Sequence, residues 1–192
     1  MMQLFRRLAK AAKVSLAAAL AGNLALPMGA FSMASLYVFE CHGADGRLKW
    51  REEVPNLVVN VGLNDLLDKY FKGSSYTAAH YVGLTTGSPT FASGDTMSSH
   101  GGWTESTVYS NSTRPAFTPG TVASQSVDNS ASAAVFTINS SGTVGGGFLV
   151  TNSTKGGTTG TLYGGAAFSG GNRTVDNGDT LTVTVTATAA AA

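Results

Sequence analysis

The stretch Asp176-Asn177-Gly178-Asp179-Thr180-Leu181-Thr182-Val183-Thr184-Val185-Thr186-Ala187-Thr188 decides the fold class. A turn signal leads into strict two-residue alternation. Leu181, Val183, Val185 and Ala187 face one way, and Thr182, Thr184, Thr186 and Thr188 face the other. Successive side chains of a strand point to opposite faces, so this pattern predicts a half-buried β-strand. Its outer face is Thr rather than Lys or Glu. A face of neutral hydroxyls suits coverage by neighbours, which points to a structural or interaction module before an enzyme.

The same preference runs through the second half of the chain. Short apolar runs at 81–85, 103–109, 116–118, 133–138, 147–151 and 161–163 are separated by Gly, Ser and Asn turns. That spacing predicts a mainly β protein, an antiparallel β-sandwich of Ig-like or jelly-roll-like type. Upstream, Leu36 to Cys41 and Leu48 to Glu53 flank Gly43-Ala44-Asp45-Gly46 and read as a hairpin, which Pro55 ends. Leu57 to Asn60 is a further short strand or the lead-in to a helix. Leu63, Leu66, Leu67, Tyr70 and Phe71 recur at helical spacing. They predict one short helix over 63–72 that covers a sheet, with Asn64 as cap, Asp65 in the first turn and Gly73 at its end. The glycine pairs at 145–147, 156–157, 164–165 and 170–171 read as turns and bulges, since none fits a phosphate-binding loop.

Residues 1–35 differ in composition and form a separate N-terminal basic and apolar arm, helical or extended; residues 36–192 form the β-domain. Arg6, Arg7, Lys10 and Lys13 precede an Ala/Leu run broken by Gly22 and Asn23. The layout is that of a secretory signal or of a retained amphipathic arm, with Leu4, Phe5, Leu8, Ala11, Ala12, Ser15 and Leu16 on one stripe. A retained arm is the expectation, lying on a partner protein or a membrane surface. The run is too short for a stable membrane span.

The chain has 192 residues, a net charge of +1 and 12% charged residues, so no overall field favours nucleic acid. Low charge also suits an obligate place in an assembly. Cys41 is the lone cysteine and reads as a small buried hydrophobe. His42, His80 and His100 lie in separate segments without metal spacing, although His100 and Asp95 together could orient a base. Asp176 and Asp179 read as turn formers, with weak calcium binding as the other option. The aromatic residues fall about one per strand, as a core requires. No catalytic, cofactor-binding or metal-ligating set is expected, and none of the motifs indicates an enzyme. The long loop 86–102, with Pro89 and Phe91, is either functional or packed down. The candidate interaction surface therefore comprises Phe5, Leu8 and Leu16 of the arm, Phe91, His100 and Trp103 around the loop, and Thr182, Thr184 and Thr186.

Several words of this sequence together resemble a group of tailed-bacteriophage virion proteins. They are Asn56 to Asn60 followed by Gly62-Leu63 and Leu66 to Lys69, then Tyr81 to Thr85, Asp95 to His100, and Gly102 to Glu105. Arg114-Pro115, Phe136 to Asn139, Ser153 to Thr158 and Gly178 to Leu181 complete them, so that roughly residues 50–188 are covered. The resemblance implies a virion component: a capsid decoration (cement) protein, or a tail or fibre part contacting a host glycan or protein. It implies other virion proteins as partners, the major capsid protein or tail proteins, in a homo-oligomer or symmetric assembly. It supplies no catalytic residues, and the arm lies outside it. An exported bacterial surface β-domain is the remaining alternative.

Overall fold

The computed structural model describes residues 31–76 and 79–191. In chain order the elements are β1 (Phe31–His42), β2 (Leu48–Pro55), β3 (Leu57–Val58), α1 (Asn60–Phe71), β4 (His80–Thr86), β5 (Thr104–Ser106) and β6 (Ala116–Phe117). Then follow β7 (Ser126–Asp128), a 3-10 turn at Ser130–Ser132, β8 (Ala134–Thr137), β9 (Gly142–Val144), β10 (Gly146–Val150), β11 (Leu162–Ala167), β12 (Arg173–Val175) and β13 (Thr180–Ala191). The fold is mainly β, with antiparallel sheets and one α-helix among the described residues.

The first sheet runs β2-β1-β13, with β7 and β8 sharing the far edge of β13. The second runs β3-β11-β10-β4, with β5 and β6 along β4, and β12 pairs with β9 separately. The expected alternation in β13 holds. Leu181, Val183 and Val185 are buried, and Thr182, Thr184 and Thr186 are half-exposed. Ala187 is only half-buried, because the buried row fades past Val185. Tyr37, Phe39 and Cys41 of β1 point the same way as the β13 apolar row. They share one core with Val82, Leu84, Leu149 and Ala166 of the second sheet, the arrangement a sandwich requires. The hairpin expected at 36–53 is β1 and β2, closed by Gly43 N–H donating to the Arg47 carbonyl at 2.9 Å. Yet β1 begins at Phe31, so residues 31–35 belong to the sheet rather than to the arm.

The strand β10 is buried along its whole length. One side faces the shared core through Leu149. On the other, Phe148 and Val150 pack with Val59, Met97, Trp103 and Leu162 in a second cluster. The loop after β4 therefore lies as a cover on the outer side of the second sheet. In the paired row Gly83–Phe148–Gly165, the two glycines flank the ring. A Cβ on Gly83 would sit 2.1 Å from the Phe148 ring, and one on Gly165 would sit 2.0 Å from the Phe91 ring. Aromatic rings thus occupy the space that side chains at these strand positions would need. This corrects the reading of all the glycine pairs as turns: 146–147 and 164–165 lie inside β10 and β11, where rings and neighbouring backbones come close. Gly156 and Gly171, with φ of +73° and +84°, are turn glycines as expected.

The helix departs from expectation in two ways. It starts at Asn60, with Val59 at the N-cap and no side-chain cap, so Asn64 caps nothing and Asp65 lies beyond the first turn. Its apolar stripe does not cover the sheet either. Contact is made by the first turn, where Gly62 lies against the Tyr163 backbone (a Cβ there would be 2.7 Å from the Tyr163 carbonyl oxygen), and by the Tyr163 hydroxyl, which donates to Asp65 at 2.6 Å. Leu67, Tyr70 and Phe71 are exposed. The helix end is as expected, with Gly73 at φ +68°.

Two predictions follow from the second sheet. Gly83→Ala must push the Phe148 ring off its seat, and overpacking of this kind costs about 1–3 kcal/mol; a lowered denaturation midpoint with an unchanged slope is the expected result. The second concerns His80, which meets Tyr163 edge-on at 4.8 Å and Phe117 at 6.5 Å. Burial lowers its pKa, and the Asp65 charge opposes this only in part. The neutral ring is favoured in the fold, so the unfolded chain, with a value of about 6.5, takes up the proton first. Stability is fully present above that value and falls as pH drops below it. His80→Gln is expected to lose less stability than the parent between pH 7.5 and pH 5.5 in matched urea titrations.

Candidate functional site

The loop between β4 and β5 is organised around Asp95. Its Oδ2 accepts from Ala92 N–H and from Trp103 Nε1–H, each at 3.0 Å. Thr90 N–H donates to the Gly102 carbonyl, and Asn60 N–H donates to Ser93, which ties the loop to the start of α1. Trp103 is only 6% exposed and packs against Phe148 and Phe91, at ring distances of 4.9 and 5.2 Å. His100 stacks on it at 3.7 Å and 10°, covering its face. The His100 Nδ1 lies 2.9 Å from the Thr96 carbonyl. A carbonyl only accepts, so Nδ1 carries the proton and donates.

This geometry settles three sequence expectations. Trp103 belongs to the interior and offers no open face, a correction to its place in the recognition surface. Phe91 is half-buried in the same stack, and only His100 reaches the surface in part. Asp95 and His100 form no pair, because each is held by a different partner, so the suggested base is absent from this loop. Phe5, Leu8 and Leu16 lie outside the described residues.

Beside the loop is a cleft of about 340 Å³, lined by Met97, His100, Trp103, Glu105, Gly157 and Thr158. Its floor is an ion pair that sequence reasoning missed. Arg114, fully buried, donates from Nε and Nη2 to the two Glu105 oxygens at 2.9 and 2.6 Å. The same guanidinium donates to the Asn152 and Gly157 carbonyls at 2.9 and 2.7 Å and lies 5.2 Å from the Phe148 ring centre. Gly156 N–H closes on Glu105 Oε2 at 3.0 Å. Lys155 donates to the Tyr109 carbonyl and sits over its ring. Four of the five Arg114 N–H donors are used internally, so this node clamps loop 151–160 to the sheet and leaves little for a ligand. The sequence words around Trp103, Glu105, Arg114 and 153–158 converge here, far apart in the chain and adjacent in space.

At the other end of the first sheet, Lys49 Nζ bridges Asp176 and Asp179 at 2.8 and 2.6 Å. Asp179 Oδ2 also accepts Asp176 N–H at 2.8 Å, so both acids are turn formers, and the cation between them is a lysine. Lys49 holds the Asp176 carboxyl below its ordinary range. Cys41, fully buried in the core, points its thiol at Asp179 Oδ2, 3.6 Å away. Burial, reinforced by the Asp179 charge, pushes that thiol up to about 12 and keeps it protonated and unreactive. Among the described residues, no group of three or more His, Cys, Asp or Glu side chains is placed to hold a metal ion, and no helix is long and apolar enough to cross a membrane.

The threonines of β13 form a different kind of surface. Across the ladder Thr182 pairs with Glu40 and Val135, Thr184 with Val38, and Thr186 with Leu36 and Asp128. Paired residues share a face, so this side of the sheet mixes hydroxyl and aliphatic groups with a few charged ones. Val135 is 43% exposed. The same face carries Glu40 opposite Thr182 and Asp128 opposite Thr186, and Arg51 of β2 joins Glu40 and Glu53 at 3.2 and 3.0 Å.

Truncation of Arg114 to Ala strands the Glu105 carboxylate in a buried site. Breaking one side of such a pair costs about 3–5 kcal/mol. Arg114→Lys restores charge but not the planar fork, so it should recover only a minor part of that loss. Thermal unfolding of the two variants, beside the parent, checks both statements.

Comparison with known proteins finds no matching family model, no matching curated protein and no matching solved structure.

Proposed function

We propose that this protein is a structural component of a tailed-phage particle, a capsid decoration protein that stabilises the shell through protein–protein contacts. The observation that carries this reading is the outer face of the first sheet: Thr182, Thr184 and Thr186 beside Leu36, Val38 and Val135, with Arg51 paired to both Glu40 and Glu53. Because Arg51 already matches Glu40 and Glu53, covering the Thr and aliphatic part of this face desolvates little unpaired charge, a main penalty of forming an interface. The resemblance of several sequence words to those of tailed-phage virion proteins supports the same reading. So does the use of the polar clusters: Asp95–Trp103, Glu105–Arg114 and Lys49–Asp176–Asp179 all serve to fasten loops and turns. The role is non-enzymatic, the partners are other virion proteins in a symmetric assembly, and the location is the capsid surface.

Recognition of a host glycan at the tail through the 86–102 loop has less support. Sugars stack on open aromatic faces, and His100 already occupies that of Trp103. An exported surface β-domain requires removal of the first segment, which intact mass of the mature chain decides.

Thr184→Lys tests the proposal. The substitution places a charge on the outer face without touching the core, so the isolated protein should unfold as the parent does. Incorporation into particles, quantified by cryo-electron microscopy and gel densitometry, should drop at least ten-fold. Normal incorporation would show that this face is free solvent surface and would remove the main support for the shell role. Val183→Asp, on the buried side, is the control that abolishes folding.

A further inference from the structure

The helix α1 meets the second sheet with one side only. Gly62 lies against the Tyr163 backbone, and Asp65 accepts from the Tyr163 hydroxyl at 2.6 Å. At 3.6 residues per turn, the side turned away from that contact carries Leu67, Tyr70 and Phe71 on an arc of about 100°. They are 48%, 80% and 76% exposed, and the two rings meet edge-on at 5.1 Å. A Tyr and a Phe this open, side by side on one helix, mark an association surface. Asp68 and Lys72 follow on one flank of the stripe, joined at 2.8 Å, with side chains 35% and 74% exposed. That flank borders an open groove of about 810 Å³ shared with Thr96, Gly160 and Thr161, which leaves room for a neighbour's long side chains.

We propose that this face is a two-fold interface between two copies of the chain, with α1 packed antiparallel on α1 of the second copy. The charge pattern selects this arrangement. Antiparallel helices related by a two-fold axis bring the same flank of each together. Asp68 stands two residues before Tyr70, and Lys72 two residues after it. With Tyr70 on the axis, Asp68 of each copy is therefore level with Lys72 of the other, and the two internal pairs merge into a ring of four alternating charges. A parallel pair would set this flank against the Leu66 side of the stripe and leave it unmatched. A wholly basic or wholly acidic partner would gain from one of the two charges and be repelled by the other. A second copy satisfies both, and such matching fixes register more than it adds affinity.

The area agrees with a reversible dimer. A Tyr or Phe side chain presents roughly 150–250 Å². At the observed exposures, Tyr70 and Phe71 offer about 300 Å² per copy, so a pair removes about 600 Å² of ring surface from water. Leu67, Asn64, Asp68 and Lys72 around the rings carry the total to about 1,000 Å², the lower bound for a specific interface. This inference goes beyond the particle reading and does not rest on it. The face lies on α1 beside the second sheet, not on the outer face of the first, and its test uses the isolated protein.

Sedimentation equilibrium of the full chain from about 1 to about 200 µM reads the association directly. A monomer–dimer equilibrium is expected. Tyr70→Ser with Phe71→Ser should weaken it at least ten-fold. Val122→Ser, which removes a similarly exposed apolar residue elsewhere, should leave it unchanged. Asp68→Lys and Lys72→Asp should each weaken self-association at least ten-fold, because each gathers four like charges at the axis. An equimolar mixture of those two variants should recover the parent affinity within about three-fold. Recovery on mixing is a readout that damage to the fold of either variant would not give. A chain that stays monomeric over the whole range assigns the face to a different occupant and overturns the proposal. So does a dimer that Tyr70→Ser with Phe71→Ser leaves intact, or a mixture of the charge variants that fails to recover.

Discussion

Everything in this fold depends on the ladder between β1 and β13, which pairs Phe31 with Ala191 and His42 with Thr180. The strand β13 lies at the centre of the first sheet, with β1 on one edge and β7 and β8 on the other. Its Leu181, Val183 and Val185 meet Tyr37, Phe39 and Cys41 in the core shared with the second sheet. Neither strand has that partner until residues 180–191 have been made. The core thus rests on contacts between distant parts of the chain, a topology whose loop-closure cost is met before the pairing repays it.

The second sheet solves a different problem. Its central strand is buried on both faces, so it needs a cover as well as a core. The loop after β4 supplies it with Phe91, Met97 and Trp103, pinned by Asp95 and capped by His100. Arg114 then locks the 151–160 loop onto the same region through Glu105. Buried charge is tolerated there because each guanidinium nitrogen donates to the Glu105 carboxylate or to a backbone carbonyl, and an aromatic face lies beside it.

How far the sequence could be read depends on the range of the interactions. The alternation in β13 and the Gly43–Gly46 turn are local, and both elements stand where they were expected. The start of α1 was misplaced because its cap is Val59, which carries no capping side chain, while Asn64 offered a false signal. Nothing local distinguishes an aromatic stripe that covers a sheet from one left open, so the outward display of Tyr70 and Phe71 was not legible. The strands β7, β9 and β12 were missed because their three residues, Ser-Val-Asp, Gly-Thr-Val and Arg-Thr-Val, each hold one apolar side chain and no aromatic, so no apolar run marks them. The turn leading into β7 gave no cue either, since Ser124 and Gln125 hold φ of +50° and +59° without Gly, Asn or Asp. Among the site residues, Phe91 and Trp103 were assigned to the candidate interaction surface around the long loop. That signal was real, but it marked an interior. The Arg114–Glu105 clamp has no sequence signature, because its partners are brought together only by the fold.

The position of Cys41 has one more consequence. Its thiol is sealed at the seam where β1, β2 and β13 meet, under Asp179 and Lys49. A thiol-specific reagent reaches it only while that seam is open. The rate of its modification therefore acts as a built-in clock for opening of the central ladder, one that reads the folded protein in dilute buffer, within a mixture or inside a larger assembly, without any added label.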